Sequence, residues 1–571
     1  MPTLDLVEIR TLDGPNIFLA QPTIKVQVRI GALSLAALDA ARARLAARLA
    51  PLAPPRDADF PSGEAEAVAA IAGGLLWGAI RAFHVALDLP VPDHVVTVRA
   101  RREGEDGHDA VVAYGWEWRG CAEGIAGAAV TLLWAVLDDA PYDLAATLDT
   151  LRGALATDRA DDDRPRFIRD AARRIPLVGI TGTNGKTTTT RCLAHILAAT
   201  GRRVGMANTT GVWIGAEQVL DGDYTGPQGA LRVLEEAGID VAVLETARGG
   251  ILLRGIAYES NDVGVITNVS ADHLGLQGID TVEELAEVKA LVVRLTRPDG
   301  LAVLNADDPL VLALAAATRA PVLLFSRRPE SAPIRAHLAA GGRALLAEGG
   351  SIVLAMGAER RCVAALADVP ITFGGRAAHM VENALAAVGA ALGLGLAPAE
   401  IAAGLATFRS SPEQNFGRLN VFAIREPACT FVVDYAHNEA GLTQLLRFGR
   451  GFVAPDARLL AIIGTAGDRS DDALRAIGRL AGAGADLVWI RETAHYLRGR
   501  SRAGMNALFA AGIAEGRGGI GEPAPIVPDE LAALDFALAA ARPGDAIVMM
   551  CFEQQAEVLA RLEELGEPVG G

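Results

Sequence analysis

The run Gly179-Ile180-Thr181-Gly182-Thr183-Asn184-Gly185-Lys186-Thr187-Thr188 constrains this chain more than any other stretch. Pro176-Leu177-Val178 before it is a short apolar run that reads as a buried strand. Thr189 to Ala199 after it reads as a helix, with Leu193, Ile196 and Leu197 on one face and Gly201 as a stop. Strand, Gly-rich turn, Lys-Thr and helix is the architecture of a phosphate-binding loop. Its glycines let backbone N–H groups converge on phosphate oxygens, and the helix N-terminus adds partial positive charge. Lys186 is placed for the β- and γ-phosphates and Thr187 for Mg2+. The stretch therefore predicts a nucleotide site made of Gly182, Thr183, Asn184, Gly185, Lys186, Thr187 and Thr188. One position departs from G-x-x-x-x-G-K-[ST]: Ile180 stands where that pattern has Gly.

With 571 residues there is room for three or four domains, and 51% apolar with 21% charged residues is the composition of a core-forming globular protein. A net charge of −16 argues against nucleic acid or an anionic membrane as the main partner. The five cysteines (Cys121, Cys192, Cys362, Cys429, Cys551) form no C-x-x-C pair and read as reduced thiols of a cytoplasmic protein. The opening MPTLDLVEIR has no basic segment followed by an apolar one, so no signal peptide is expected. The uncharged run Gly124 to Leu137 is shorter than the ~20 residues a membrane span needs.

Three regions follow from the patterning. Residues 1–165 read as a small α+β domain: strands at Leu4–Arg10 and Ile24–Ile30, helices at Leu33–Leu49 and Glu64–Leu87, strands at His94–Arg101 and Ala110–Trp118, then a helix at Cys121–Leu137. The charged run Asp158 to Arg169 reads as a solvated linker. Residues 166–410 alternate strand and helix, the signature of a mainly parallel sheet, whose ligands bind at the carboxyl ends of the strands. Val241–Leu244 ends on Glu245, Val263–Ile266 runs into Asn268, Asp272 and His273, and Leu301–Leu304 ends on Asn305, Asp307 and Asp308. One acidic residue after a strand is commonly a helix cap; four strands with polar ends at one edge fit a nucleotide and metal site. Residues 411–571 repeat the alternation, with strands at Thr430–Val433, Leu459–Ile463, Leu487–Ile490 and Ala546–Met550, and read as a separate Rossmann-like domain.

Lys289 is ambiguous from spacing. Thr281-Val282-Glu283-Glu284 is a capping box, and on the helix it opens Lys289 shares the apolar stripe with Leu285, Val292 and Val293. A snorkelling side chain and a desolvated amine able to take up CO2 as a carbamate both fit.

Further stretches carry a resemblance. TGTNGKTTT, Glu245, Asn268…Asp272-His273, Lys289, Asn305-Ala306-Asp307-Asp308, Phe416-Gly417-Arg418 and Asp434-Tyr435-Ala436-His437 resemble the motifs of the ATP-dependent Mur ligase superfamily, in that superfamily's order. GDYTGP (222–227), LETARGGIL (244–252), DVGVITNVSADHLGLQGIDT (262–281), DVPITFGGRAA (368–378), DYAHNEAGL (434–442), GTAGDRSDD (464–472) and LRGR (497–500) narrow the resemblance to the cyanophycin synthetases, and EIRTLDGPN (8–16) resembles their N-terminal domain. Those enzymes carry an ATP-grasp domain between the N-terminal and Mur-like parts; here the charged run near 160 leads straight to the phosphate loop. Glu439 stands where the family usually has Pro, and Gly504-Met505 lacks its acidic residue after RGR.

The resemblance implies an ADP-forming ligase that joins an amino acid to a carboxylate of a peptide or polymer through an acyl phosphate. Lys186, Glu245, His273 and Lys289 would be catalytic, with metal held by Thr187, Glu245, His273 and carbamylated Lys289. Asn268, Asn305, Arg418 and Asp434 would serve ATP, Asn305 at the adenine. Arg248, His437, Asn438, Asp468, Arg469 and Arg498 would face the substrates, although a surface ion pair also accounts for Arg248. His379 and Asn383 share a helix face and fit a structural role. A homo-oligomer and a separate ATP-grasp ligase partner are expected. Two rivals are a folylpolyglutamate-type ligase acting on another acceptor and a non-catalytic polymer-binding subunit. The second would be expected to have lost Lys186, Glu245, His273 or Lys289, and all four are present.

Overall fold

The computed structural model describes residues 4–31, 33–52, 64–101, 107–519 and 522–569. They form two compact units: Met1–Arg174 with Gly226–Leu234 and Gly249–Ser260, and Ile175–Thr225 with Glu235–Arg248 and Asn261–Gly571. The first unit therefore runs past the boundary expected at 165 and takes in two short segments from the middle of the chain.

In the first unit the strands Leu4–Leu12, Thr23–Ile30, His108–Gly115 and His94–Ala100 pair in that order, all antiparallel. Helices Leu35–Leu49, Glu64–Ala86, Arg119–Leu137 and Leu144–Asp161 accompany the sheet. The core joins the inward residues of the two central strands (Val26, Val28, Ala110, Val112, Tyr114) to Leu76, Phe83, Ile125 and Leu133 of the helices. By length and composition alone, Ala67–Ala86 and Arg119–Leu137 are apolar enough to cross a membrane; 67% and 56% of their most apolar windows are buried inside this unit. The second contains the run that sequence judged too short to span.

Most of the charged run is exposed, as its composition predicts, but its start is helical and not a linker. Helix Leu144–Asp161, which periodicity did not reveal, includes its first residues, and Asp158 is buried. Helix Arg119–Leu137 has no side-chain cap of its own. Asp158 supplies one from another helix, accepting from the Gly120 N–H at 3.2 Å and the Cys121 N–H at 2.7 Å. Farther on, Ile168 bridges to Tyr258, and the Ser260 hydroxyl donates to Asp170.

In the second unit the strand Leu177–Thr181, buried along its whole length, lies between Val241–Glu245 and Asn261–Ile266, all parallel. Thr296–Asn305 and Val322–Ser326 continue the parallel run beyond Asn261–Ile266, and Val204–Asn208 does so beyond Val241–Glu245. Antiparallel pairs complete both ends of this eleven-stranded sheet. A separate seven-stranded sheet holds the four strands expected after 411, with Cys429–Asp434, Ala546–Met550, Leu459–Ile463 and Leu487–Arg491 adjacent and parallel. One apolar core serves both sheets, and Phe373 meets Phe448 edge-on with centroids 5.0 Å apart. The α/β class expected from the alternation is the class observed.

Asp158→Ala removes both hydrogen bonds to the helix start and is expected to cost about 1–2 kcal/mol, the usual worth of an N-cap carboxylate. Urea unfolding of the variant against the wild-type chain checks this.

Candidate active site

The phosphate loop leaves the carboxyl end of Leu177–Thr181 and turns into helix Lys186–Ala199. Gly182 has φ +152° and Gly185 has φ +86°, and a Cβ on either would run into a neighbour, Thr267 Oγ1 and Asn383 Oδ1 respectively. Only glycine fits both positions. Asn268, at the end of the adjacent strand, clasps the loop: its Oδ1 accepts from the Asn184 N–H at 2.9 Å and its Nδ2 donates to the Asn184 carbonyl at 3.0 Å. The Thr267 hydroxyl donates to the same carbonyl at 2.7 Å. Asn268 thus holds the glycine-rich loop in place. Asn305 is likewise occupied with backbone: buried, it donates to the Thr267 carbonyl and accepts from the Asp307 N–H, each at 2.9 Å. That arrangement braces two strand ends.

Lys186 folds back on the loop, its Nζ donating to the Thr183 carbonyl at 2.9 Å. Thr187 lies 3.2 Å from Glu245 Oε1 and 3.1 Å from the Thr209 hydroxyl, and Thr209 itself donates to Glu245 through both its hydroxyl and its N–H. Two hydroxyls and a carboxylate are hard oxygen donors of the kind Mg2+ takes, so this end of the expected metal set fits that ion. Thr209 was missed because Val204–Asn208 is a short strand that shows no long apolar run in the sequence; the rule that chemistry follows strand ends would have found it.

The rest of the expected metal set is divided. Among the described residues no group of three His, Cys, Asp or Glu stands close enough to hold a metal ion. His273 turns to the C-terminal region, its Nδ1 2.9 Å from Arg469 Nη1 and 3.2 Å from Asp468 Oδ2. Lys289 is buried, and its Nζ donates to the Gly182 carbonyl at 2.8 Å. Burial, and then the charge on Lys186, push its amine well below the usual lysine range. A snorkelling lysine would reach water; this one does not.

A network around Asp272 joins the middle and C-terminal regions. Arg469 Nη2 lies 3.2 Å from Asp272 Oδ1, and His437 Nε2 lies 3.7 Å from Asp272 Oδ2. Burial alone would raise the Asp272 carboxyl; His437, Arg469 and His273 outweigh it and hold the group below the ordinary carboxylate range. Asn438 caps helix Glu439–Arg450 and exchanges amide hydrogen bonds with Asn184 of the phosphate loop, at 3.2 and 3.1 Å. Arg418 lies over the Tyr435 ring, 4.0 Å from its centroid, and the neighbouring Leu419 N–H donates to Asp434 at 2.8 Å. Arg248 is bound to the loop that carries His273, donating to the His273 carbonyl at 2.7 Å and the Leu276 carbonyl at 3.2 Å. Arg498 is not drawn in: it is exposed and stacks on Tyr496. Arg500 does what sequence assigned to no residue, tying the Gly467–Asp471 loop together through the Gly467 carbonyl, the Arg469 carbonyl and Asp471. His379 is half-buried, its inaccessible Nδ1 has no partner, and desolvation pushes it down to about 4.

Comparison with known proteins places this geometry. Residues 180–391 match the Mur ligase middle domain, and residues 417–551 match the Mur ligase, glutamate ligase domain. The cyanophycin synthetase of Trichormus variabilis is 42% identical over 349 residues, 61% of this chain and 38% of that protein. That of Synechocystis sp. is 40% identical over 70% of this chain and 44% of its own length. The chain thus spans about two fifths of the length of these relatives. The UDP-N-acetylmuramyl-tripeptide synthetase of Roseiflexus sp. is 31% identical over 67% of this chain and 75% of that protein. Among solved structures, E. coli FolC in complex with ADP shares the fold, with a TM-score of 0.50 and 19% identity over 68% of this chain and 89% of that one. With a phosphate loop anchored between parallel strands, and a second α/β sheet whose residues meet that loop, the chain belongs to the Mur ligase family.

Proposed function

We propose that the protein is an ATP-dependent, ADP-forming ligase that joins the amine of an amino acid to a carboxylate of a peptide or polymer acceptor, as the arginine-adding half of cyanophycin synthetase does. The observation that carries this reading is the pairing of Thr187 with Glu245 and Thr209 beside a loop that presents Lys186. A carboxylate is a poor electrophile at neutral pH, so one of its oxygens first takes the γ-phosphoryl group of ATP and ADP departs. The amine then attacks the acyl carbon, and phosphate and a proton leave. The protein contributes position and charge. Lys186 offsets charge on the transferring phosphoryl group, and Mg2+, held by Thr187 and Glu245, supplies a Lewis acid for it. Lys289 has the setting a carbamate needs: burial and Lys186 disfavour the charge of its amine, which lies beside the loop. Asp468 and Arg469 lie on the C-terminal side with His437, the side from which the incoming amino acid is read.

Acceptor binding is assigned to the first unit. A cleft of about 680 Å3 there is lined by Thr11, Asp13, Arg119, Glu123 and Arg254, among others. Both signs of charge are present, which suits a zwitterionic polymer, and holding a chain at a second point raises its concentration at the catalytic site. The ATP dependence implies a cytoplasmic setting, and extension of a polymer backbone is left to a separate ligase partner.

Lys186→Ala is expected to lower turnover at least ~10²-fold with the fold intact, since electrostatic stabilisation is the largest catalytic contribution. Phosphate release from ATP in the presence of arginine and an aspartate-containing peptide measures it; a variant with wild-type rates refutes the assignment. Mass spectrometry of the products should show additions of one amino-acid type that stop when the primer's carboxylates are used up. Alternating aspartate and arginine additions without limit would show a second activating site.

Lys289→Arg keeps a cation but forms no carbamate. It should abolish both turnover and the carbamate carbon signal that wild-type protein gives in 13C-bicarbonate.

Deletion of residues 1–165 would be a poor test of the acceptor cleft, because Gly249–Ser260 belongs to the same compact unit. Arg254→Glu, at an exposed side chain, should instead raise KM severalfold for long acceptors and leave it unchanged for short ones.

A further inference from the structure

Arg191 is a buried cation for which neither the nucleotide reading nor the substrate reading has a use. It lies on helix Lys186–Ala199, one turn after Thr187 and so on the same face. Among the described residues no carboxylate stands within ion-pair distance of it. Its guanidinium instead spans two backbone turns. Nη2 donates to the Thr210 hydroxyl at 2.6 Å and Nη1 to the Phe416 carbonyl at 3.3 Å, with the Trp213 ring 6.0 Å away. A buried arginine without a carboxylate partner is uncommon and expensive. Burial and the nearby Arg418 disfavour its charge, and only Glu245 favours it.

Both anchor points adjoin the site. Thr210 follows Thr209, which donates twice to Glu245, and Thr210 is itself fixed by Asn208, whose Oδ1 accepts from its N–H at 2.8 Å and its hydroxyl at 2.9 Å. Phe416 precedes Gly417-Arg418, in a segment held rigid by its own bonds: the Gly417 N–H to Asn420 Oδ1 at 2.8 Å and the Arg418 N–H to the Asn415 carbonyl at 3.0 Å. One side chain therefore ties the turn beside Glu245 to the segment that carries Arg418.

We propose that Arg191 is a positioning residue that registers Arg418 against the Thr187–Glu245–Thr209 cluster, and that its unpaired charge is balanced by the phosphates of the bound nucleotide. This rests on the nucleotide reading of the site. Arg191 and Arg418 repel in the empty protein, and an anion lodged beside the loop relieves both. Binding is thereby coupled to the placement of the segment that leads into the C-terminal sheet.

The test compares wild type, Arg191→Met, Arg191→Lys and Thr210→Val by calorimetric titration with ADP–Mg2+, alongside thermal melting without ligand. Arg191→Met should weaken ADP about tenfold, within the usual range of coupling between sites. Arg191→Lys keeps the charge but makes one bond instead of two, and should recover part of that loss. Thr210→Val removes one anchor and should weaken ADP about fivefold, the worth of one hydrogen bond. Loss of melting temperature with unchanged ADP affinity in Arg191→Met would make Arg191 a core residue and overturn the assignment. If Arg191→Met does not fold, Thr210→Val decides, and unchanged affinity there overturns it. Failure of the wild type to bind ADP would instead overturn the nucleotide reading, and this assignment with it.

Discussion

The clasp of Asn268 on Asn184 is the interaction from which the rest of the site takes its position. A phosphate loop works only if its N–H groups stay turned inward with no ligand to hold them, and glycine freedom alone would let them wander. Asn268 binds the N–H and the carbonyl of one residue, and Thr267 takes a second hold on that carbonyl. Both lie immediately after the strand paired with the loop's own strand. The sheet register therefore sets the loop geometry, and a slip of one residue would turn Asn268 to the opposite face. Asn184, so fixed, then offers its side chain to Asn438, and Lys289 reaches the Gly182 carbonyl from the helix on the far side.

The sequence made the strand ends legible, because a parallel sheet has to gather its polar residues there. It did not say what each polar residue touches. Asn268 and Asn305 look alike in the chain, each an amide after an apolar strand, and both spend that amide on backbone. Arg498 and Arg500 sit two residues apart in one motif, yet the first is exposed and the second holds a loop together. Asp158 is the plainest case: within a dense charge run, local composition reads solvent, but its partners are the N–H groups of Gly120 and Cys121, on another helix. Arg191 escaped for a related reason, since its partners Thr210 and Phe416 are far from it in the chain.

Burial sorts the ionisable groups of the site into two kinds. Asp272 is half-buried but ringed by His437, Arg469 and His273, so its charge is favoured. Lys289 is buried, and burial with Lys186 and Arg248 disfavours its charge more than Asp272 favours it. An amine whose charge is disfavoured and a carboxylate whose charge is favoured suit separate chemical roles. The first suits reaction with CO2, and the second suits an ionic tie between the middle and C-terminal regions.

That tie bears on His273. The same Arg469 that pairs with Asp272 also meets the His273 ring, so the imidazole is held by the C-terminal region while Glu245 is held by Thr187 and Thr209. In this arrangement the two expected ligands answer to different parts of the protein. Glu245 is fixed by the sheet, and its place does not depend on the C-terminal region. His273, at φ +52° on a loop that also gives its carbonyl to Arg248, is held through its ring by Arg469 and Asp468. Glu245 and His273 are thus held by different elements, the first by Thr187 and Thr209 and the second by Arg469 and Asp468.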